Sequence, residues 1–431
     1  MGNYWSNWSG AVRFQPDELH FPESESEVAA IVKQAAARGR NVRVVGAAHS
    51  FTRLIETQDV LISLDKLKGL ISVDKEAATA VVWAGTRLKD LGPMLHENGL
   101  GMINQGDIDV QSLAGALSTG THGTGVELGT LSTAILGLRL VTATGEILEI
   151  NANNHPEWLE AARVTLGSLG IITQMELQLR PAYKLKYNAK KSSLEEVLRN
   201  LEDYKSRNRN FEFYWFPFTE TCQVKEMNIT HEAPSRNGLG KWMNDILLEN
   251  GVFWIISKKA RILPFLSKTA AKLSAWGVSG STNTAWSHQV FATPRLVKFQ
   301  EMEYNIPQEH FQTAMLEIQA LIEEKNFRVH FPLECRWVAA DDIWLSPAYK
   351  RDSAYIAAHM YKGMRYHAYF EAIEEIFKKY DGRPHWGKMH TQTAESLAKL
   401  YPKWNEFQAI RKELDPKGIF LNPYVKRLFG A

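Results

Sequence analysis

Two spacings of apolar residues alternate along the first part of this chain. Ser24 and Glu27 form a capping box ahead of Val28, Ile31, Val32 and Ala35, which share one face of a helix that stops at Gly39. The next stretch, Val42 to Phe51, reads VRVVGAAHSF. Its β-branched Val42, Val44 and Val45 predict a short buried strand, and the small residues Gly46, Ala47 and Ala48 predict a turn whose backbone N–H groups can approach a bound group closely. His49 is expected exposed at the mouth of that turn. Strands follow at Val60 to Leu64 and Ala80 to Ala84, then a helix from Leu88 to Glu97 that ends at Asn98 and Gly99. Leu138 to Ile150 reads as a hairpin around Ala143, Thr144 and Gly145, and Gly170 to Leu179 as a strand closed by Pro181. Short helices and strands in this mixture indicate an α+β fold.

From Tyr183 the texture changes, which puts a first domain at residues 1–182. Amphipathic stretches appear around Leu194 to Tyr204, and the aromatic run Phe211 to Phe218 reads as a buried strand in preference to an aromatic cage. The last helix is expected to break at Asp415 and Pro416, with the tail packing back on the first domain. Ile246 to Ser257 is the most apolar segment, but Glu249, Asn250 and Gly251 interrupt it, so it cannot span a bilayer. Lys258, Lys259, Arg261, Lys268 and Lys272 surround further apolar positions. They suit either a core helix with a solvated edge or a peripheral membrane contact.

Composition narrows the partners. At 431 residues two cores are expected. With 50 basic and 48 acidic side chains the net charge is only +2, which leaves no footprint for nucleic acid and points to a small-molecule ligand. Cys222 and Cys335 have no metal-ligand spacing and read as packing residues, with no metal site expected. The opening MGNYWSNWSG has no signal-peptide pattern, so a cytoplasmic protein is expected.

Neither a GxGxxG after a strand nor a GxxxxGK[ST] is present, so a Rossmann site and a P-loop lack support. A second small-residue loop, Ser112 to Gly125, reads SLAGALSTGTHGTG. Its glycines alternate with Ser112, Ser118, Thr119, Thr121 and Thr124, which supplies N–H and hydroxyl donors for a pyrophosphate, or else a tight turn at a sheet crossover. Farther on, Glu334 and Arg336 lie two apart in LECRWV and so share a strand face. Seen alone they read as a surface ion pair; facing a cleft, the carboxylate could orient the guanidinium or hold hydroxyl groups. His359, His385 and His390 are ambiguous between buried structural and functional roles.

Four motifs in order, GAAHSF, ALSTGTHGTG, LECRWVAADDIWLSPAY and RPHWGK, resemble those of the vanillyl-alcohol-oxidase-type (PCMH-type) flavoprotein family. Within it they are similar to the aldonolactone oxidoreductases typified by gulonolactone and arabinonolactone oxidases, with alditol oxidase nearby. The resemblance covers nearly the whole chain. It implies a PCMH-type FAD-binding domain at 1–182, a substrate-binding cap at 183–382, and a segment at 383–431 returning to the active site. It further implies FAD bound covalently through His49. The cofactor would be lined by Val45, Gly46, Ala47, Ala48, Ser50, Phe51, Ser112, Gly115, Thr119, Gly120, Thr121, His122 and His385, with Ile171, Ile172 and Thr173 at the adenine end. Asp107 stands where alditol oxidase has a serine. Gly106 aligns with the position facing the flavin's oxygen-reactive carbon, where dehydrogenases of the family can carry alanine.

Lys388, Arg336 and Glu334 are implied as the catalytic set, with His359 joining them around the substrate. Oxidising a carbinol removes a hydride from carbon and a proton from oxygen, and fixed cations in a dry pocket favour the charge that develops on that oxygen. The implied reaction takes L-gulono-1,4-lactone or a related aldonolactone to a keto-lactone that tautomerises to an ascorbate-type enediol, with O2 reduced to H2O2. Oxidation of linear polyols, a lactone dehydrogenase using a cytochrome-like acceptor, and a flavin carrier without turnover are the alternatives. Oligomeric state is left open.

Overall fold

The computed structural model describes residues 4–236, 240, 251, 253–292, 295 and 297–431. Ile246 to Asn250 and Val252, within the apolar segment, lie outside the described residues.

After a short antiparallel pair, Trp5–Ser6 with Arg13–Phe14, come three parallel strands: β1 (Glu18–His20), β2 (Val42–Val45) and β3 (Val60–Ser63), with β3 in the middle. Helix α1 (Glu25–Ala37) connects β1 to β2. The Ser24 hydroxyl caps it by accepting from the Glu27 N–H at 3.2 Å. The reciprocal arm differs from the expected box, because the Glu27 carboxylate takes the Glu23 N–H at 2.8 Å. Beside this lies an antiparallel five-stranded sheet in the order β7 (Ile147–Asn151), β6 (Ile135–Val141), β8 (Ile171–Gln178), β5 (Thr79–Trp83), β4 (Leu70–Asp74). Val28, Val32 and Ala35 of α1 share one core with Val42, Val60, Val82, Leu138 and Ile172. Helices α2 (Leu88–Glu97) and α3 (Leu113–Ser118) complete this half.

The second half is built on an eight-stranded antiparallel sheet. Its order is β12 (Ser281–Trp286), β9 (Lys184–Ser193), β11 (Thr221–Thr230), β10 (Asn210–Trp215), β14 (Leu333–Val338), β15 (Ser353–Tyr361), β13 (Phe299–Pro307), β16 (Arg383–Pro384). Period-two alternation splits its central strands into two faces. Phe211, Phe213, Trp215, Cys335, Trp337, Met302, Tyr304 and Ile356 form one apolar face with helices α5 (Phe311–Lys325) and α6 (His367–Lys379). The aromatic run is thus a sheet strand whose rings are core, and both cysteines are free and buried there. The other face carries Glu212, Tyr214, Glu301, Glu303, Glu334 and Arg336, all buried. Register puts Glu303 and Glu334 opposite the same residue, Ala357, so one methyl side chain separates the two carboxylates across the sheet.

The tail returns to the first half, but not as an extended segment after Pro416. A further helix, Pro423–Phe429, follows α7 (Trp404–Leu414), with the Asn422 side chain accepting from the Val425 N–H at 2.8 Å. Between these helices, the Ile419 carbonyl accepts from Val42 N–H at 2.8 Å. The buried Arg43 guanidinium donates to the carbonyls of Leu166, Gly167 and Phe420, which satisfies a cation that burial alone would make costly. No helix among the described residues is long and apolar enough to cross a membrane.

Candidate active site

The turn leaving β2 and the N-terminus of α3 meet face to face. A Cβ on Gly46 would stand 2.0 Å from Ser112 Oγ and 3.1 Å from Ser112 Cβ, and one on Gly115 would stand 2.8 Å from the same hydroxyl. Glycine at both positions is what lets the two loops close. From Gly46 through Ser50, no backbone N–H finds an acceptor among the described residues. A run of unpaired donors beside a helix N-terminus fits an anionic pyrophosphate. These donors border a groove enclosing about 1040 Å³, open solvent at its mouth included, lined by Val45 to Ser50, Ser112, Gly115, Thr119 and Gly170 to Ile172.

Two expected cofactor contacts are placed differently. Thr173 turns away from the groove and donates its hydroxyl to Glu25 at 2.6 Å, and Gly120 borders neither this groove nor the pocket beside it. The Thr119 hydroxyl donates to the Gly115 carbonyl at 3.0 Å, so toward a ligand its oxygen is left to accept and not to donate.

His49 is half-buried, not exposed as the turn composition suggested, because Trp8 from the N-terminal segment stacks on it at 5.7 Å. Its Nδ1 lies 2.9 Å from the Ala47 carbonyl, which can only accept, so the ring donates from Nδ1. Burial, with Lys388 nearby, holds the imidazole below its ordinary pKa. The ring is therefore neutral at physiological pH and carries an unprotonated Nε2.

At His49, Ser50, Gln111 and Thr119 the groove joins a second, ionic pocket of about 690 Å³. There the structure brings together Phe51, Gly106, Asp107, Thr121, His122, Glu334, Arg336, His385 and Lys388, all singled out from sequence. It adds Trp8, Arg295, Glu301 and Glu303. The two glutamates were legible in principle, since FQEMEYN alternates polar and apolar residues just as LECRWV does; Arg295 had no such signal. His359 does not line the pocket. It sits behind it, with Nε2 3.5 Å from Glu301 and 3.9 Å from Glu334. Asp107 is neutralised by a direct ion pair with Arg295, which ties the loop before α3 to the segment entering β13.

The cations of this pocket are already paired. Lys388 Nζ lies 2.5 Å from Glu301, and Arg336 donates to Glu303 Oε1 at 2.8 Å. Arg336 Nε is 3.3 Å from Glu334 Oε1, without the alignment of a hydrogen bond, and Tyr214 donates to that same oxygen at 2.8 Å. The pair Glu334–Arg336 is thus buried and not on the surface. Burial alone would raise all three carboxyls, but Lys388 beside Glu301 and Arg336 beside Glu303 and Glu334 hold them below their ordinary range. Three carboxylates then face two fixed cations, and Glu303 Oε2 is buried without any donor among the described residues. Such an oxygen is costly unless a ligand hydroxyl supplies the missing hydrogen bond.

His122 and His385 flank Glu303, with ligand atoms of all three within 4.8 Å of one another. The His385 tautomer argues against its joining a shared coordination of a cation. His385 Nδ1 accepts from the Gly387 N–H at 3.0 Å, so its proton is on Nε2, facing the cluster, and burial depresses its pKa to about 3. His122 has Gly123 O 2.8 Å from Nδ1 and Glu303 Oε1 3.2 Å from Nε2.

Residues 16–151 match the FAD binding domain family, and residues 175–428 match the D-arabinono-1,4-lactone oxidase family. The chain is 41% identical over 430 residues to L-gulono-1,4-lactone dehydrogenase of Mycobacterium tuberculosis, covering 100% of both chains. It is 35% identical to L-gulonolactone oxidase of Bos taurus, covering 99% of this chain and 98% of that one, and 29% identical to alditol oxidase of a Streptomyces species over the full length of both. A solved cholesterol oxidase from B. sterolicum superposes with a TM-score of 0.84 over 100% of this chain and 97% of that one; at 17% identity it shows the fold alone. The chain belongs to the D-arabinono-1,4-lactone oxidase family, the aldonolactone branch of PCMH-type FAD-dependent oxidoreductases.

Proposed function

We propose that the protein oxidises a secondary hydroxyl of L-gulono-1,4-lactone or a related aldonolactone to the keto-lactone, using FAD attached covalently at His49. The observation that carries this reading is the meeting, at the unprotonated side of His49, of a groove rich in unpaired N–H groups and a pocket of buried, ion-paired carboxylates. Bound FAD supplies the hydride acceptor. The residues of the pocket handle the other half of the reaction. Glu303 Oε2, buried and lacking a donor, accepts the hydroxyl hydrogen of the substrate. Arg336 and Lys388 offset the negative charge that develops as that proton leaves. Glu334, steadied by Tyr214, holds a neighbouring hydroxyl, and His359 acts from behind by fixing Glu301 and Glu334.

For the electron acceptor we favour O2, released as H2O2, because Gly106 lines the pocket and leaves open the space that a methyl group would take. A dehydrogenase is the second reading, favoured by the name of the Mycobacterium tuberculosis relative. The boundary near 182 is supported by the two sheets, each with its own core, and the return of the tail by the packing of Trp386, Leu397 and Phe407 with Leu54, Ala161 and Val164, although Arg383 and Pro384 still belong to the second sheet.

Turnover on a panel of aldonolactones and linear polyols, with O2 and with an artificial acceptor in parallel, tests the substrate and acceptor. Lactones should be preferred; polyols turned over faster would move the protein to the alditol branch. Acid precipitation tests the linkage, since a colourless pellet under a yellow supernatant would exclude covalent flavin.

A further inference from the structure

From Asn250 to Gln300 the sequence has seven lysines and arginines and not one aspartate or glutamate, in a chain whose net charge is only +2. The structure folds much of that stretch into a helix at 253–262 and a second, α4, at Ser267–Trp276. Ser257, Ala260, Ala270, Ala271 and Ala275 face inward. The outward faces carry Trp254, Ile255 and Leu273, with Ile262 65%, Phe265 67% and Trp276 78% exposed. So many large apolar side chains exposed within residues 254–276 have no account in the fold itself.

Charge completes the pattern. Lys258, Lys259, Arg261, Lys268 and Lys272 are interspersed among these residues, and none forms an ion pair among the described residues. Lys258 and Lys268 instead lie over aromatic rings, those of Trp254 and Phe218, at 5.0 and 4.8 Å. Tryptophan, phenylalanine and isoleucine tips between lysines are the composition of a surface that sits in the headgroup region of a bilayer. The inner side of the 253–262 helix packs through Phe253 on Phe331, within the cluster that includes Phe51 and Phe299 of the ionic pocket.

We propose that this two-helix ridge is a docking surface for an anionic phospholipid bilayer, which holds the protein peripherally with its ionic pocket close to the membrane. The absence of any acidic residue selects the anionic lipid, and the protruding aromatic side chains select a fluid surface that can yield to them.

Sedimentation of the holoenzyme with lipid vesicles tests this. It should pellet with phosphatidylcholine vesicles containing phosphatidylglycerol, stay in solution with pure phosphatidylcholine, and be released by high salt. The double variant Lys258→Ser, Lys259→Ser should weaken partitioning roughly thirty-fold. Phe265→Ser with Trp276→Ser should abolish it, while both variants keep lactone turnover in solution. Wild-type protein that ignores anionic vesicles, or variants that pellet like wild type, would overturn the proposal. So would a solution dimer that the Phe265→Ser, Trp276→Ser variant dissociates without any vesicle binding, which would assign the ridge to a second copy.

Discussion

Gly46→Ala is the sharpest probe of how the cofactor groove is built. The added methyl would stand 2.0 Å from Ser112 Oγ, and an ordinary carbon–oxygen contact needs about 3.4 Å, so the hydroxyl must retreat by roughly 1.4 Å. Rotating the serine side chain moves Oγ but not Ser112 Cβ, which is itself 3.1 Å away. The loops must therefore part, at a cost of about 1–3 kcal/mol for overpacking a close contact. The unpaired N–H groups from Gly46 to Ser50 move with the turn, so FAD affinity should fall roughly 10- to 100-fold. The measurement is best made in a His49→Ala background, where attachment cannot mask weak binding, by fluorescence titration of apoprotein with FAD. Ser112→Gly, which removes both offending atoms, should restore much of the loss when combined with Gly46→Ala. Parental FAD affinity in the Gly46→Ala protein would refute the argument that contact between the two loops shapes the site.

Other outcomes follow from the pocket and its surroundings. Arg336→Lys and Lys388→Met should each slow flavin reduction by roughly two to four powers of ten while retaining FAD; parental rates in anaerobic stopped-flow would remove both from the chemistry. In Gly106→Ala the methyl would meet the His122 carbonyl at 3.3 Å and Thr121 at 3.6 Å, a fit that needs only a small shift. Reoxidation by O2 should slow while reduction by substrate stays unchanged, and equal slowing of both half-reactions would count against an oxygen-access role. Burial holds His330, His385 and His390 at about 4, 3 and 4, below the ordinary 6.5. Unfolded chains then bind up to three more protons, so stability is full above about pH 6.5 and falls toward pH 4, by at most about 4 kcal/mol per pH unit. Glu301, Glu303 and Glu334 add to the loss only below their ordinary 4.5. A urea midpoint that does not move between pH 7 and pH 5 would contradict the buried neutral histidines.

Local pattern revealed the strands, the two small-residue loops and the Glu334–Arg336 face, because each depends on residues a few positions apart. The motif order then led to the right family. What stayed hidden depends on distant partners. Glu301 and Glu303 alternate visibly, but their meaning comes from lying across Ala357 from Glu334, a register fixed only in the assembled sheet. His49 looked exposed because nothing in its own turn predicts that Trp8 covers it. Thr173 shares a strand with Ile172, and alternation puts it on the opposite side, toward Glu25, a signal available from sequence that the motif match overrode. The final helix was missed because Pro416 reads as a stop, whereas Asn422 and Pro423 restart the helix six residues later.

The binding of Arg43 and Val42 by Phe420 and Ile419 has a consequence for how the groove can come apart. The strand that leads into the His49 turn is completed by carbonyls 377 positions away in sequence. Gly387 adds to this dependence, since its carbonyl receives the Phe51 N–H at 2.7 Å. The turn that carries His49 is therefore held by contacts between distant parts of the sequence, and a local opening of residues 387–420 would loosen the groove without any change in the groove's own residues.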